Sequence, residues 1–557
     1  MRKWLLLGFV FWGALWAAPP PVPSAGVIER EIQKEYEAEP ITPGKRIPAI
    51  QIDIPEERLD LPEGESVFIS KIRLVENESI TEAEIQGRVS RFLGKKLDLK
   101  KIYGLCKIID QLYAEKGFFL ARAYPPPQTI ENGVLTIQVI EGKLGQISVV
   151  GNRYYSEAFI RSYFAGLIGR SLQEDQFVRA LLLLNENTDL MAGAIFEKGR
   201  EFGKADLILQ VDDQRPVHLF LNGNNYGRFL TTNVRAGGRL DWGGLFVYGD
   251  KVSIAEVVGF PIDALYFTDV NYRAPLNRQG SFLGVEYLYS KFRVQEEKNL
   301  DLKGSSQIGT IRFDQALMRT RSLSLNIFGY FDYKQIQNYT LGRRTSFDKL
   351  RVVTLGMLLD HFHSSYGRDY LTIQAAAGIP DLFGGLKAVD SECSRAGGGG
   401  RFFMLTVDYD RIQYLPKESF LYLHASGQLS PNKLTVPEQL YIGGADTVRG
   451  FPLAIGLGDS GYYCNIEWRT PPPFLADKRV FRFKKKWKEV LQFDVFLDHG
   501  GTFLQSVQNL FIWGAGLGIR LMGPYHLSLS LDVGFPLNHR DLTNGAFTYI
   551  KLNGQPF

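Results

Sequence analysis

From about residue 214 to the end of the chain, short stretches alternate apolar and polar residues one for one. In the stretch 491–500, Leu491, Phe493, Val495 and Leu497 share one face, and Gln492, Asp494, Phe496, Asp498 and Gly500 share the other. Period two is the geometry of a strand. Phe511, Trp513, Ala515, Leu517, Ile519 and Leu521 likewise oppose Gly514, Gly516, Gly518 and Arg520. Leu527, Leu529, Leu531 and Val533 oppose His526, Ser528, Ser530 and Asp532, and Tyr462, Cys464, Ile466 and Trp468 oppose Asn465, Glu467 and Arg469. One face suits lipid and the other suits water. Beyond the N-terminus no stretch supplies the roughly 20 continuous apolar residues of a spanning helix. A chain of this kind crosses a membrane only as a closed barrel, the other structure that pairs every backbone polar group in lipid. The 344 residues from 214 to 557 accommodate about sixteen antiparallel strands, each near the ~10 residues that cross a bilayer with tilt. The polar faces predict a wet lumen. Polar insertions near 290–305, 333–348, 378–401 and 430–459 read as extracellular loops, because short turns face the periplasm.

The first 213 residues have a different texture. Arg2 and Lys3 precede an apolar run from Trp4 to Trp16, then small residues and prolines, which predicts an export signal over 1–25. Val27, Ile28, Ile32 and Tyr36 then fall on one face of a short helix over 26–39. A lone helix of that length is marginal in water and needs a surface to dock on. Five prolines between Pro40 and Pro62 describe an extended linker, 40–65. Residues 66–143 read as a β-α-α-β-β unit: a strand at Phe68–Val75, a helix carrying Ile85, Val89 and Phe92, a second with Ile102, Leu105, Ile109 and Leu112 on one stripe, then two strands. Residues 144–213 repeat that order, with a strand at Ile147–Val150, helices around Phe159 and Phe177–Leu184, and strands near Ala194 and Ala205–Val211.

The formal charge of +4 gives no bulk case for nucleic acid. Cys106, Cys393 and Cys464 make neither a disulfide framework nor a metal spacing and read as structural. Gly458-Asp459-Ser460-Gly461 spells most of a serine-protease nucleophile motif but sits at the end of a loop before a strand, with no scaffold for a base and an orienting acid. Lys484-Lys485-Lys486-Trp487-Lys488 falls in a periplasmic turn. The run Gly397–Gly400 lacks the strand-then-helix context of a phosphate cradle. No catalytic set and no cofactor or metal site emerges. The constellation left is Arg449 with Asp498. An aspartate on an inner wall needs a cation, and Arg449 is carried by a glycine-hinged loop able to turn inward. Glu467, Asp494, Arg469 and Arg520 are further lumen-facing charges, either channel lining or a secondary network.

These residues also carry a resemblance. Val448-Arg449-Gly450-Phe451, with Phe496, Asp498 and Gly500 downstream, resembles the paired loop-six and strand-thirteen motifs of the bacterial outer-membrane insertase and transporter superfamily. The segment GFFLARAYPPPQTIENGVLTIQVIEGKLG resembles the first polypeptide-transport-associated (POTRA) domain of the two-partner secretion transporters of the haemolysin secretion/activation type. RALLLLNE and KADLILQV resemble the second. The resemblance implies an outer-membrane exporter: a helical plug, two periplasmic POTRA domains that capture an unfolded secreted partner exoprotein by strand addition, and a barrel through which that cargo passes. It implies that the loop-six arginine contacts the strand-thirteen acid inside the barrel. Phe557 matches the terminal aromatic of a signal read by the barrel-assembly machinery, although Lys551, Asn553 and Gln555 depart from its apolar alternation. The other partner is outer-membrane lipid, nucleic acid is not expected, and the protein is expected to be a monomer. The rival is an insertase for other barrels; such relatives carry three or more POTRA domains, and residues 66–213 have room for two.

Overall fold

The computed structural model describes residues 24–37, 50–53, 66–228, 231–294, 301–480, 485–504, 509–524, 526–543 and 545–556. The expected leader up to residue 23, most of the linker, Lys484 and Phe557 lie outside the described residues.

Sixteen antiparallel strands close into a barrel. In chain order they are β1 Val217–Asn224, β2 Val234–Gly243, β3 Lys251–Phe260, β4 Leu265–Pro275, β5 Ser281–Arg293, β6 Lys303–Arg319, β7 Leu323–Thr340, β8 Arg343–His363, β9 Gly367–Gly378, β10 Phe402–Tyr414, β11 Phe420–Leu429, β12 Ser460–Thr470, β13 Leu491–Phe503, β14 Leu510–Met522, β15 Ser528–Pro536 and β16 Phe547–Gly554. Each pairs with its neighbours in sequence. The seam is β1 on β16, where Leu221–Asn224 meets Lys551–Gly554. Alternation decides which side chain meets what. On β13 Val495 and Leu497 point outward, 48% and 41% exposed, while Asp494, Phe496 and Asp498 are buried inside. Leu517 on β14 and Ile466 and Trp468 on β12 face outward in the same way.

Three of the four expected loops are connections: 294–302, 379–401 and 430–459. The fourth, near 333–348, is strand. β7 and β8 run 18 and 21 residues and meet in a two-residue turn, Leu341-Gly342, with both φ positive at 53° and 73°. The backbone of such a turn matches the twist of the strands it joins. The inner face of the hairpin is covered by α1 at Ile336 and by residues 379–401 at Leu350, so alternation no longer separates strand from loop.

The helix α1, Ala25–Glu37, lies inside the barrel against β5, β6 and β7. Ala25, Ile28 and Ile32 pack on Val257, Phe267, Leu288, Ile308 and Ile336, inward residues of β3 to β7. The inner wall is therefore apolar there, not uniformly polar and wet as alternation alone suggested. A covered wall has no need of water-facing groups.

Between helix and barrel come two α+β units. In the first, the strands Lys71–Val75, Val134–Ile140 and Arg122–Tyr124 make one sheet under α2, Glu82–Val89, and α3, Leu99–Glu115. Asp98 caps α3, its carboxylate accepting from the Lys101 amide at 2.8 Å. The stripe Ile102, Leu105, Cys106, Ile109 and Leu112 is core, and burial pushes the Cys106 thiol up to about 12, which leaves it unreactive. The second unit places α4, Glu157–Ser162, and α5, Glu174–Leu184, over the strands Lys143–Val150, Lys204–Asp213 and Leu190–Lys198. Ile50–Asp53 joins this sheet as a fourth strand at the free edge of Leu190–Lys198.

The units are tied to each other and to the barrel. Phe119 of the first packs edge-on to Phe196 of the second at 5.4 Å between ring centroids. Glu141 accepts from the amides of Glu78 and Ser79 at 2.7 and 2.6 Å, from the Ser79 hydroxyl, and across the junction from the Ser171 hydroxyl at 2.9 Å. Burial works against its charge, but the donors from Ser79, Ser171 and Glu78 outweigh it and hold the carboxyl below its usual value. At the barrel rim, Arg179 of α5 donates to the carbonyls of Gln279, Ala316 and Leu317 at 3.1, 2.8 and 2.8 Å.

Candidate functional site

The connection between β11 and β12, residues 430–459, does not project outward. Its limbs pair as a small hairpin, Leu440–Ile442 against Gly456–Gly458. Its tip turns into the barrel through Gly443 and Gly444, whose φ values of 97° and 104° lie where L side chains are strained. Val448 and Phe451, both fully buried, pack with Ile442, Tyr463 and Ile512 and anchor the tip on the wall.

Between those anchors Arg449 reaches β13. Its Nε donates to Asp498 Oδ2 at 2.7 Å and its Nη2 to Oδ1 at 2.8 Å, a two-pronged pair, and its own amide donates to Oδ2 at 3.0 Å. The third guanidinium nitrogen lies 2.7 Å from Glu467 Oε1 of β12. The guanidinium plane stacks 3.5 Å from the Phe496 ring centroid. Arg449 is 4% exposed and Asp498 0%.

The other inward charges join the same cluster. Arg469 donates to Glu467 Oε2 from Nε and Nη2 at 2.9 and 2.6 Å. Arg520 of β14 pairs with Asp532 of β15 at 2.5 Å and lies 3.3 Å from Asp494. Asp532 in turn stands 4.0 Å from Arg449. Glu467, Asp494, Asp498 and Asp532 thus face Arg449, Arg469 and Arg520 across one patch of wall, β12 to β15.

Sequence reasoning put Asp532 and Gly514 on the inward face and named Gly450 in the loop motif but gave none of them a partner, and it passed over Tyr549. Tyr549 of β16 accepts from the Gly450 amide at 3.1 Å and donates to the Phe451 carbonyl at 3.2 Å. A Cβ on Gly514 would lie 1.9 Å from the Arg449 carbonyl oxygen. One on Gly450, itself at φ 93°, would lie 2.7 Å from the Phe535 carbonyl carbon. Gly514 of β14 and Gly534 of β15 make the berth of the loop, while Gly516 and Gly518 make room for Phe496, Asp494 and Asp532. Glycines at every second position of a strand, 514, 516 and 518, were the available signal.

Helix and loop also touch. Val27 packs with Tyr441 and Ala454 of the loop. A Cβ on Gly26 would stand 2.5 Å from that of Pro437, so the helix backbone rests directly on the loop. The Arg30 guanidinium donates to the Gln439 carbonyl. On the wall side Glu31 pairs with Arg228 at 3.1 Å and Arg235 at 3.5 Å, and Ser306 donates to Glu29 at 3.4 Å.

The remaining sequence features take ordinary places. Asp459 pairs with Arg395 and accepts from the Leu434 amide at 2.9 Å, and the Ser460 hydroxyl accepts from the Ser430 amide at 3.0 Å. The basic run lies between β12 and β13, where Lys486 and Lys488 pair with Asp477 at 3.2 and 3.3 Å. His361, His363 and Asp369 bring donor atoms within 4.8 Å of one another on β8 and β9. Asp369 there already receives Arg411 at 3.1 Å, and the guanidinium supplies the charge a cation would bring.

A closed barrel with a lipid-facing exterior, its lumen occupied by a helix and an inward loop and its rim carrying small α+β units, defines an outer-membrane protein transporter. The family model of the haemolysin secretion/activation protein ShlB/FhaC/HecB matches residues 203–521, and that of the ShlB-type POTRA domain matches residues 67–142. The chain belongs to the haemolysin secretion/activation family. Among curated relatives, the heme/hemopexin transporter protein HuxB of Haemophilus influenzae is 21% identical over 479 residues, 82% of this chain and 81% of the relative. The outer membrane transporter CdiB of Escherichia coli O6:K15:H31 (strain 536 / UPEC) is 22% identical over 492 residues, 86% and 80% of the two chains. The solved structure of CdiB from Escherichia coli superposes with a TM-score of 0.75 at 19% identity, covering 95% of this chain and 98% of that one. The chain is therefore an outer-membrane transporter of a secreted partner protein, with its POTRA domains in the periplasm, and not the insertase held as the rival reading.

Proposed function

We propose that the protein exports one large exoprotein in an extended state, captured by residues 66–143 and 144–213 and passed through the lumen once α1 has left it. The observation that carries this reading is the helix itself. It fills the lumen, yet it is joined in sequence to the periplasmic domains, so it can be withdrawn without being lost. The pair Arg449–Asp498, with Val448, Gly450, Phe451, Phe496 and Gly500 around it, keeps loop six folded inward as a fixed wall of the path. Glu467, Arg469, Asp494 and Arg520 buttress that pair. Export needs no catalysis by this chain; folding of the cargo outside supplies the direction. The protein works as a monomer in outer-membrane lipid, inserted by the barrel-assembly machinery, with Phe557 as part of its signal. In support, each α+β unit has an apolar core, that of the second completed by Phe119 and Leu120 of the first. The test is a fragment of residues 64–213, expected to be soluble, folded and able to bind the unfolded N-terminal part of the partner. Binding that requires the barrel would count against capture by these domains.

A further inference from the structure

The turn between β2 and β3 presents apolar side chains where a loop in water would not. Asp250, fully buried, accepts from the amides of Leu245, Phe246 and Val247 at 2.8, 2.9 and 2.9 Å, which ties the backbone inward and turns the side chains out. Leu245, Phe246 and Val247 stand 41%, 71% and 49% exposed. A contiguous apolar patch of this kind marks contact with a membrane or another protein. Here the membrane is the neighbour. Phe246 packs edge-on to Tyr272 at 5.5 Å between ring centroids, and Tyr272 shares a face of β4 with the outward Tyr266 and Val270. Tyr248 packs the other way, on Phe159 of α4 at 5.3 Å. The turn thus sits where lipid, barrel and second POTRA domain meet.

A cavity of about 240 Å³ opens at this junction, between Tyr154 of the POTRA domain, Arg215 at the entry to the barrel, Val217 of β1, Trp242 of β2 and Tyr248. Val217 and Trp242 are cross-strand partners on the outward face, where Leu221 of β1 also points. The polar groups are free. Among the described residues neither the Arg215 guanidinium nor the Tyr154 hydroxyl has a partner, and both side chains are exposed. Pockets that bury a drug-sized ligand run to ~300–1,000 Å³, so this one has room for a headgroup whose chains stay outside. We propose that the cavity holds one phospholipid of the periplasmic leaflet, with its phosphate on Arg215 and Tyr154 and its acyl chains on Val217, Trp242 and the apolar turn. A guanidinium matches phosphate through its planar fork of donors. A soluble phosphate ester offers the same charge but leaves the apolar half of the cavity uncovered. The lipid bridges Tyr154 of the periplasmic arm to β1 and β2, and so joins Tyr248 in fastening the arm to the barrel.

The test uses the full chain in vesicles of phosphatidylethanolamine and phosphatidylglycerol, doped with a phosphatidylglycerol analogue that carries a diazirine next to the headgroup. Irradiation should label the peptide containing Tyr154, as read by its mass. The peptide containing Phe202 is the control, because Phe202 is 74% exposed but lies before the start of the strand Lys204–Asp213, at the end away from the barrel. It should stay unlabelled. Arg215→Glu should lower labelling at Tyr154 at least fivefold, and Arg215→Lys should restore most of it, with heat-modifiable migration showing that each barrel is closed. Labelling at Tyr154 that Arg215→Glu leaves unchanged, or that is no stronger than at Phe202, would overturn the proposal. Loss of the label on adding excess glycerol phosphate would give the site to a soluble phosphate ester and overturn the assignment to lipid.

Discussion

The two halves of the barrel wall hold their contents by different physics. From β3 to β7 the inner wall carries an apolar patch, with Ser306 and Lys334 beside it, and the patch receives Ala25, Ile28 and Ile32 of the helix. From β12 to β16 it is charged and bare, and it receives the tip of loop six through Arg449. Apolar burial is non-directional, worth about 1.5–3 kcal/mol for each fully buried isoleucine, and is recovered elsewhere if the helix finds another surface. A buried guanidinium with two acids is directional. Withdrawing it leaves uncompensated charges in the wall, at about 3–5 kcal/mol. This contrast supports the proposal that the helix is the removable part and the loop the fixed one. The helix also carries one buried charge of this kind, Glu31 on Arg228 and Arg235, whose withdrawal strands two arginines in the wall.

The sharpest way to break the comparison is Arg449→Ala. Asp498 and Glu467 would be stranded, and export should fall at least tenfold while the barrel still inserts, as scored by surface protease digestion. Asp498→Ala should behave alike, and the double variant should be no worse than the poorer single one, with a coupling of up to ~3 kcal/mol. Fully additive losses, or unchanged export in Arg449→Ala, would mean that the loop is held some other way.

Next in size is Gly514→Ala, which removes no charge but drives a methyl into the Arg449 carbonyl. It should reproduce most of the export defect, and Gly→Ala at Gly309, whose Cβ would meet nothing, should not. Deletion of residues 26–39 should leave assembly and the Arg449–Asp498 contact intact and raise single-channel conductance several-fold in planar bilayers. Conductance equal to wild type would remove the helix from its role as a plug. Ile28→Asp should give a partial form of that effect, with frequent transient openings, because it attacks only the apolar contact.

The smallest effect concerns the periplasmic pair. The Glu141 carboxyl is held below its usual value, so its ionised form is favoured in the folded state. Its stabilisation is fully present above the ordinary carboxylate value and is lost as pH falls from there through the lowered folded-state value. Thermal unfolding of the periplasmic domains in the solubilised protein should shift down by a few degrees between pH 7 and pH 4, and Glu141→Gln should flatten that slope. An unchanged slope would mean that the Ser79 and Ser171 bonds do not depend on its charge.

Much of the fold was legible because the membrane enforces alternation. Leu491 to Gly500 could be sorted by face from sequence, and the sorting placed Asp498 and Asp494 inside. The apolar wall behind α1 was not legible, because a lumen residue covered by a helix obeys no rule about water. Nor was the β7–β8 hairpin, whose inner face is covered in the same way at Ile336 and Leu350. The placement of Ile50–Asp53 was hidden for a different reason: four residues between prolines carry too little pattern to announce a strand. In the site, the motif residues of loop six and β13 could be named, but Tyr549 and Asp532 approach Gly450 and Arg449 only because the loop folds inward onto strands far downstream.

The joint at the barrel rim has an implication for sequence drift. Arg179 donates to the carbonyls of Gln279, Ala316 and Leu317, groups that every amino acid carries. At these three positions that contact tolerates a change of side chain, whereas the rest of the joint depends on side chains of both partners, through Arg319 on Glu186 and Arg278 on Ser162.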